Sequence, residues 1–345
     1  MVWFVFASLL PAALLGVASV LGGVWPLLAV ISITVFVLGI DVLSNKLGAS
    51  ADTAGGDRLI YVLAGVHFIL WPIAIWALAD AQHLNGQEKF LIWIGIGLWV
   101  GQISNSNAHE LIHRSSRLAH GLGTAIYTST LFGHHTSTHL RIHHVHAATS
   151  KDPNSARVGE SFYWFFARAW VQGFSEGKRA ENMLRARKRI PPPAWTHPYL
   201  RYVLGGLGFC VLAFALAGPT GVVALICVSL FSQVQLYLSD YVQHYGLLRH
   251  MDRDGVPEPI GDAHSWNAPQ WYSSAMMLNA PRHSDHHANP TRTFPELRYD
   301  ARKMPTLPYS LPVMAVIALI PPLWRACMDD RVRDWAQSTD DLQAA

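Results

Sequence analysis

Residues 89–113 read KFLIWIGIGLWVGQISNSNAHELIH. From Phe90 to Ala108 this stretch carries no charged residue, and its length matches the ~20 residues that a helix needs to cross a bilayer. It ends in His109 and His113, whose spacing of four places two imidazoles on one face of a helix, one turn apart. The stretch therefore predicts a membrane helix that carries a pair of metal-binding side chains to one membrane surface.

The composition of the whole chain agrees with a membrane protein. Hydrophobic residues make up 51% of the 345 residues and charged residues only 14%, against about 25% charged residues in ordinary soluble domains. We predict an all-α integral membrane protein, a single domain over residues 1–345, with six transmembrane helices and a cytoplasmic histidine-rich cap. Two shorter apolar stretches, 118–134 and 308–324, are expected to enter or skim the membrane without crossing it. The predicted spans are 3–22, 24–44, 59–79, 89–108, 200–219 and 221–243.

The distribution of basic residues gives the expected orientation. Of the 26 Lys and Arg residues, 12 lie in 109–198 and 10 lie in 245–345. Six spans put these two stretches on the same side, and the positive-inside rule makes that side the cytoplasm. Both termini are then cytoplasmic as well. A net charge of +3 gives no reason to expect a nucleic-acid partner.

The 18 histidines are clustered in the chain. Three groups have helical spacing, and a fourth histidine ends the last predicted span. One ion takes roughly four to six ligands, so nine imidazoles predict two ions. A single His-x-x-x-His pair is commonly found on an ordinary surface helix without a metal. Several such groups on one membrane face instead favour a dinuclear metal site. The nine candidate ligands are His109, His113, His139, His143, His144, His244, His283, His286 and His287.

Other polar residues near these histidines are candidates for supporting roles. Hydrogen-bonding or bridging partners of the ligands are expected among Glu110, Asp240, Asp285 and His264, since metal-bound imidazoles usually need such partners. Counting back along the spans from His109 and His244 gives the expected walls of a substrate channel. These walls are unexpectedly polar, so either they pair with one another or the substrate carries oxygen or an aromatic ring. The expected wall residues are Leu98, Trp99, Gln102, Asn105, Gln233 and Tyr237.

Five strings of the sequence carry a resemblance to a known family. The chain resembles the membrane alkane 1-monooxygenases, in the fatty-acid desaturase-like superfamily of integral-membrane di-iron enzymes, from about residue 100 to residue 335. It departs from the family pattern at Thr138, where Glu is usual, and at Asp240 and Gln243, where Asn and Glu are usual. The matching strings are HELIHR (109–114), HHVHAATSKDPNSAR (143–157), QHYGLLR (243–249), HSWN (264–267) and RHSDHHANPTRTFPELR (282–298).

The resemblance implies a function and a set of cofactors. The family's iron ligands fall on the same nine histidines, and its cofactor is a pair of non-haem iron ions with O2 as co-substrate. It implies hydroxylation of a hydrophobic substrate such as a medium-chain alkane, at a terminal methyl, in the bacterial inner membrane among membrane lipids. The two electrons come from a separate rubredoxin and its NADH- or NADPH-dependent reductase. Three cysteines are too few for a rubredoxin-type site within this chain.

Three alternatives remain open at this stage. A methyl hydroxylase of the xylene or cymene type shares the same architecture. An acyl-chain desaturase would use the same two ions for two hydrogen abstractions. A membrane metal transporter or sensor would not be an enzyme, and its ligands are expected near the bilayer midplane rather than at one face. Basic residues near the site, namely Arg114, Arg117, Arg141 and Arg282, are expected either to dock an acidic electron carrier or to contact lipid headgroups.

Overall fold

The computed structural model describes residues 1–44 and 56–344. Within these ranges the chain forms helices joined by loops, with no β-strand, as the sequence predicts. Two of the helical segments, Trp99–Ser104 and His139–His143, are π-helical. The α-helices are α1 (Val2–Leu21), α2 (Trp25–Ile33), α3 (Val35–Ser44), α4 (Gly56–Ala79), α5 (Gly86–Leu98), α6 (Asn105–Ile112), α7 (Arg117–Ser129), α8 (His135–Thr138), α9 (His144–His146), α10 (Phe162–Ala186), α11 (Pro198–Gln243), α12 (Trp271–Met276), α13 (His283–Ala288), α14 (Leu311–Ala318) and α15 (Pro321–Ala344).

Four helical stretches in the described ranges are long and apolar enough to cross a membrane: Val2–Leu21, Trp25–Ser44, Gly56–Ala79 and Pro198–Gln243. The second of these combines α2 and α3, which are separated only by Thr34. The predicted span 89–108 is not among the four. Its helix α5 ends at Leu98, and the chain continues through the π-helix into α6. Gln102 in the π-helix and the Asn, His and Glu side chains of α6 make this part of the stretch less apolar.

The 46-residue helix α11 is interrupted at one point. Ala217 and Gly218 have non-helical backbone angles there, and Gly218 adopts a positive φ of 60°, which glycine reaches without the steric penalty of a Cβ atom. This break falls within the last three residues of the predicted span 200–219, just before the next predicted span, 221–243. A helix of 46 residues would otherwise be about 69 Å long, roughly twice the thickness of a bilayer's hydrocarbon core.

A hydrogen bond connects two of the turns between long helices. Gly22 and Gly23, both with positive φ, connect α1 to α2. Asn85 caps the beginning of α5, and Glu88 completes the capping box. The Glu88 carboxylate also accepts a hydrogen bond from the Gly23 backbone N–H. These two turns therefore lie at the same end of the helix bundle. The helical stretch that begins at Gly86 starts at this end, and its other end carries His109 and His113.

Helix α7 doubles back along α6 and reaches into the bundle. Gly123 permits the close approach, because a Cβ atom there would lie 2.7 Å from the Ala108 carbonyl oxygen. At the far end of α7, the Ser129 hydroxyl lies 2.7 Å from Nε2 of His67, in the middle of α4. The stretch predicted to enter the membrane without crossing it thus ends beside the centre of a span.

The loop between α11 and α13 is anchored to the first helices. Helix α12 packs against α1 and α3. Asp41 of α3 accepts hydrogen bonds from the backbone N–H groups of Tyr272 and Ser273, at 2.8 and 3.2 Å. Because α12 leads directly to α13, this contact fixes the segment that delivers three of the nine histidines.

Gly97 offers a direct test of the packing between α5 and α11. A Cβ atom at Gly97 would lie within 1.9 Å of the Phe231 ring, so we expect Gly97→Ala to lower stability by about 1–3 kcal/mol through overpacking. Gly65→Ala is the matched control, since nothing lies within 4 Å of a Cβ atom there. Size-exclusion chromatography of heated, detergent-solubilised protein gives the midpoint temperatures. Equal midpoints for the two variants would contradict this close packing.

Candidate metal centre

The structure brings all nine candidate histidines together at one end of the bundle. Their nitrogen atoms fall into two groups, and within each group the atoms lie within 4.8 Å of one another. The first group contains five imidazoles and the second contains four. Three members of the first group are partly exposed, whereas all four of the second are buried. The five-imidazole group is His109, His113, His139, His144 and His286, and the four-imidazole group is His143, His244, His283 and His287.

The two histidine doublets are divided between the groups. Of His143 and His144, the first belongs to the four-imidazole group and the second to the five-imidazole group, and His287 and His286 divide in the same way. Neighbouring residues on a helix point about 100° apart, so each doublet can reach two centres. The π-helix adds a further pairing, because its hydrogen bond from His144 N–H to the His139 carbonyl stacks residues five apart, and Nε2 of His139 and His144 are 2.9 Å apart.

Hydrogen bonding alone cannot account for these contacts. In the five-imidazole group, the Nε2 atoms of His113, His139, His144 and His286 follow one another at 3.1, 2.9 and 3.1 Å. Each Nε2 carries either one hydrogen or one in-plane lone pair. At most two of the three contacts can therefore be good N–H···N bonds. A cation that accepts several lone pairs at once relieves this conflict.

The spacing of the nitrogens fits ligands of a common ion. Two nitrogens that are each about 2.1 Å from an ion lie about 3.0 Å apart at a right angle, and about 3.4 Å apart at a tetrahedral angle. The observed contacts of 2.9–3.1 Å, including those from His283 to His244 and His287, match the right angle. Spacings of this size fit imidazoles that share one transition-metal ion.

Most of the imidazoles in the two groups have a lowered pKa, which favours the neutral form that binds metals. Burial and neighbouring imidazoles lower the pKa of His139, His144, His286 and His287 well below the usual value. Burial, with smaller contributions from neighbouring groups, brings the pKa of His283 to about 3. A neutral imidazole keeps one nitrogen lone pair free, so the donor set fits a transition-metal ion such as iron.

His143 has a charged partner that the sequence prediction missed. Its Nδ1 lies 2.9 Å from Oδ2 of Asp152, and both side chains are fully buried. Burial opposes a charge on His143, but the carboxylates of Asp152 and Asp240 together outweigh it and raise the pKa of His143. This contact directs Nδ1–H toward the carboxylate and leaves Nε2 for an ion, the usual support of a metal-bound imidazole. Asp152 lies within the string 143–157, and its place in that string was the feature of the sequence that could have identified it.

Asn267 is a second residue that the prediction missed. Its side-chain amide bonds the Ser284 hydroxyl at 2.7 Å, and its Oδ1 accepts from the Ser284 backbone N–H at 3.1 Å. These two bonds attach the first turn of α13 to the preceding loop. Asn267 therefore positions the helix that carries His283, His286 and His287, and its signal was the string HSWN.

Three of the four candidate partners lie away from the imidazole nitrogens. Glu110 pairs with Arg114 at 2.7 Å and accepts from the Phe294 backbone N–H. Asp285 bonds Arg292 and the backbone N–H of Arg298, which fixes the loop after α13. His264 bonds Glu258 at 3.1 Å and lines a separate pocket with Arg249. These contacts give the three residues roles in holding loops and helix ends.

Asp240 is the exception, because it borders the site. Its Oδ2 accepts a 2.6 Å hydrogen bond from Nδ2 of Asn154. Together with His109, His139 and His283, it lines a cavity beside the clusters. Asp240 therefore faces the same space as imidazoles of both groups. Gln243 lines this cavity too, and it bonds Ser239 and the Ala280 carbonyl.

The expected channel residues are distributed over several places. Asn105 lines the cavity beside the imidazoles, and Gln102 lines an adjoining groove that shares Gly101, Ser106, Ser239 and Ala280 with it. Trp99 lies deeper in the bundle, fully buried, with Nε1–H donating to the Ser8 carbonyl.

Leu98, Gln233 and Tyr237 line none of these spaces. Leu98 packs against the hydrophobic core, while Gln233 bonds the Thr130 carbonyl and Trp170 Nε1, and the Tyr237 hydroxyl bonds the Ala169 carbonyl. The π-helix explains part of the difference, because it adds one residue to the turn. Its hydrogen bond from the Asn105 N–H to the Val100 carbonyl shifts the residues before it, and Gly101 rather than Leu98 lines the cavity with Asn105.

The basic residues divide by exposure. Arg117 and Arg141 are exposed at the histidine-bearing end, and Arg114 pairs with Asp57 and Glu110. Arg282 is only 1% exposed and donates to the Leu297 carbonyl. Of the four, Arg282 is therefore unable to contact either a docked protein or a lipid headgroup.

The sequence matches a known family model and is similar to several named enzymes. Residues 89–317 match the family model described as fatty acid desaturase. The chain is 35% identical over 243 residues to alkane 1-monooxygenase 1 of Pseudomonas aeruginosa, covering 70% of this chain and 63% of that protein. It is 33% identical over 272 residues to alkane 1-monooxygenase 2 of the same organism, covering 76% and 71%. It is 28% identical over 231 residues to the xylene/toluene monooxygenase hydroxylase component of Pseudomonas putida, covering 67% and 61%.

The Asp152–His143 contact predicts unequal loss of metal. We expect Asp152→Asn to weaken binding of one ion about 10–100-fold, as is usual when the partner of a metal-bound imidazole is changed. Asp300→Asn is the control, because that carboxylate bonds only the nearby Arg302 and backbone. Metal per chain is measured by mass spectrometry after dialysis against increasing chelator. An Asp152→Asn curve that superimposes on the wild-type curve would contradict the role of this contact.

Proposed function

The chain belongs to the fatty acid desaturase family and, within it, to the alkane 1-monooxygenases, and on this basis we propose that it hydroxylates a terminal methyl of a medium-chain alkane. The reaction uses O2 and two electrons, with one oxygen atom going to the alcohol and the other to water. The observation that supports this most directly is the convergence of nine imidazoles into two groups beside a cavity.

The proposed cofactor is a pair of non-haem iron ions. The five-imidazole group would hold one ion and the four-imidazole group the other. When bound, the ions supply the oxygen activation and C–H cleavage that no amino-acid side chain can perform. The protein's own contribution is to hold the nine nitrogens in place and to keep the site enclosed. Asp152 orients His143, Asn267 positions α13, and Asp240 is a candidate bridging group because it faces both groups.

A plain hydrocarbon is the substrate that the contacts favour. The open question was whether the polar side chains in the spans serve one another or an oxygen-bearing substrate. Gln233, Tyr237 and the amide nitrogen of Asn105 all bond protein groups. His67, the histidine inside a predicted span, is bonded at both ring nitrogens, to Ser104 and Ser129. Apart from the side-chain oxygens of Asn105 and Gln102, which are buried without a partner, this polarity is satisfied within the protein and requires no polar substrate.

We also propose an electron donor and an orientation in the membrane. A separate rubredoxin and its reductase would supply electrons, since the three cysteines of the chain are unpaired and lie apart on α11 and α15. Six spans are proposed in a bacterial inner membrane, with α5 and its π-helical continuation as the fourth and the two parts of α11 as the fifth and sixth. The clusters and both termini would then face the cytoplasm, in a single domain.

The alternatives rank below this proposal. The xylene/toluene relative keeps a methyl group on an aromatic ring as a second candidate substrate. A desaturase shares the family model, but the named relatives are monooxygenases. Membership among these enzymes leaves no support for a metal transporter or sensor.

The activity is tested by product analysis on purified membranes. The preparation receives a rubredoxin–reductase pair and NADH, then octane, an alkyl-aromatic compound or a fatty-acid ester, under isotopically labelled O2. We expect about two irons per chain and labelled oxygen in a primary alcohol from octane. An unlabelled alkene from the ester would identify a desaturase instead. Zinc with no oxygen uptake would overturn the proposal.

The topology is tested by labelling with a membrane-impermeant maleimide in intact cells. The natural cysteines are first replaced by serine. We expect Gln82→Cys, in the turn between α4 and α5, to react from outside, and Arg187→Cys, after α10, to react only once the membrane is opened. Reaction of Arg187→Cys in intact cells would place the histidine clusters on the outer side.

A further inference from the structure

Helix α10 packs against the second histidine segment, which comprises α8, the π-helix His139–His143 and α9. This segment contributes three of the nine imidazoles. Gly177 of α10 permits the close approach, because a Cβ atom there would lie 2.8 Å from the Thr138 hydroxyl oxygen. The Thr138 hydroxyl donates a 2.8 Å hydrogen bond to the Gly173 carbonyl of the same helix. The end of α8 is therefore fixed against the backbone of α10.

Glu181, one turn after Gly177, contacts the same segment with its side chain. The residue is only 9% exposed. Its Oε1 accepts a hydrogen bond from the Ser137 hydroxyl at 3.0 Å and lies 3.5 Å from Nε of Arg141. The Ser137 oxygen also lies 2.8 Å from the Tyr202 hydroxyl. Since the one hydrogen of Ser137 goes to Glu181, Tyr202 is the donor in that contact, and a chain of hydrogen bonds joins α11, α8 and α10.

The two Glu181 contacts lie on the side of the segment opposite to a metal-binding imidazole. Ser137 and Arg141 are four residues apart and so share one face of the helix. His139 lies midway between them, and a separation of two residues corresponds to about 200° around an α-helix. The Glu181 carboxylate therefore holds the back of the turn whose front carries His139 toward His113, with 3.1 Å between their Nε2 atoms.

The π-helix that begins at His139 has an unusual register. π-Helical turns are rare, and their hydrogen bonds join residues five apart. Here the His144 N–H bonds the His139 carbonyl, and the Nε2 atoms of the two residues are 2.9 Å apart. In an ordinary α-helix, residues five apart point about 140° away from each other. The contact between these two imidazoles therefore depends on keeping the π-helical register.

We propose that Glu181 is a positioning residue that holds the second histidine segment in its π-helical register and thereby sets the affinity of the five-imidazole group for its ion. The inference rests on the proposed function, because it assumes that this group binds a metal. Of the three imidazoles in the segment, those of His139 and His144 belong to the five-imidazole group. His143 belongs to the other group and has a separate partner in Asp152. Loss of the Glu181 contacts should therefore weaken the first ion far more than the second.

Metal retention gives the first test. We expect Glu181→Ala to weaken binding of one ion about tenfold, the lower end of the range for groups that support metal ligands, because Glu181 acts through the helix. Ser137→Ala removes the same hydrogen bond from the other side and should give a similar loss. Glu181→Gln keeps an acceptor oxygen and should restore most of the affinity. The matched control is Glu176→Ala on the same helix, whose half-exposed carboxylate pairs with Arg179 at 3.8 Å.

A double variant identifies which ion is affected. Asp152→Asn should weaken the ion of the four-imidazole group, so its effect and that of Glu181→Ala should add if they concern different ions. Metal per chain is measured by mass spectrometry after dialysis against increasing chelator. Over one range of chelator, each single variant should then keep one ion, wild type both and the double variant neither. A double variant that loses no more metal than Asp152→Asn alone would overturn the inference.

Amide hydrogen exchange in the peptide 137–146 tests the positioning itself. Exchange reports local opening of the backbone, so Glu181→Ala should speed exchange in this peptide and Glu176→Ala should not. Unchanged exchange in Glu181→Ala would overturn the inference even if metal were lost, since that loss would then have another cause. Wild-type protein that binds no metal would refute the proposed function itself, an outcome distinct from an unchanged Glu181→Ala curve.

Discussion

Nine imidazole nitrogens held in two small volumes are the constraint on which the rest of the structure depends. Lone pairs at such distances repel one another, and their own hydrogens cannot join them all into bonds. The surrounding parts of the protein must therefore hold the nine imidazoles in these positions. They do so with buried attachments at each contributing segment: Asp152 on His143, Asn267 on the first turn of α13, and Asp41 on the helix before it. Bound cations would turn this enforced crowding into a favourable interaction.

The gathering of the nine histidines could be predicted from the sequence, and the 100° between neighbouring helix residues also predicts that each doublet reaches two ions, as the two groups confirm. The assignment of the other histidines to one group or the other could not be predicted. Spacings of three and four reveal shared helix faces, and they bring the right residues to one end of the bundle. The division of the doublets also depends on the π-helix at His139–His143, which pairs residues five apart. Asp152 was missed because a loop residue shows no periodicity. The channel walls were only partly located because the other π-helix changes which residues follow His109 toward the membrane.

Polarity inside the spans has a structural explanation. Buried polar groups away from water need partners, and the described helices supply most of them across helix boundaries. His67 joins α4 to α7 and to the first π-helix, and Gln233 joins α11 to the chain after α7 and to α10. These bonds link segments distant in sequence that apolar contacts alone would leave free to slide. Asn105, with its unsatisfied oxygen, is the member of this network that stands at a cavity wall.

The π-helix at Trp99–Ser104 also has an evolutionary consequence. A π turn is equivalent to one residue inserted into an α-helix. Deletion of a single codon within it would restore an ordinary α-helical turn, and the helices on either side, including α6 with His109 and His113, would keep their places. Lineages can thus change the side chains that this turn presents to the cavity in one genetic step without disturbing the metal ligands. The site would stay constant while the range of accepted molecules diverged.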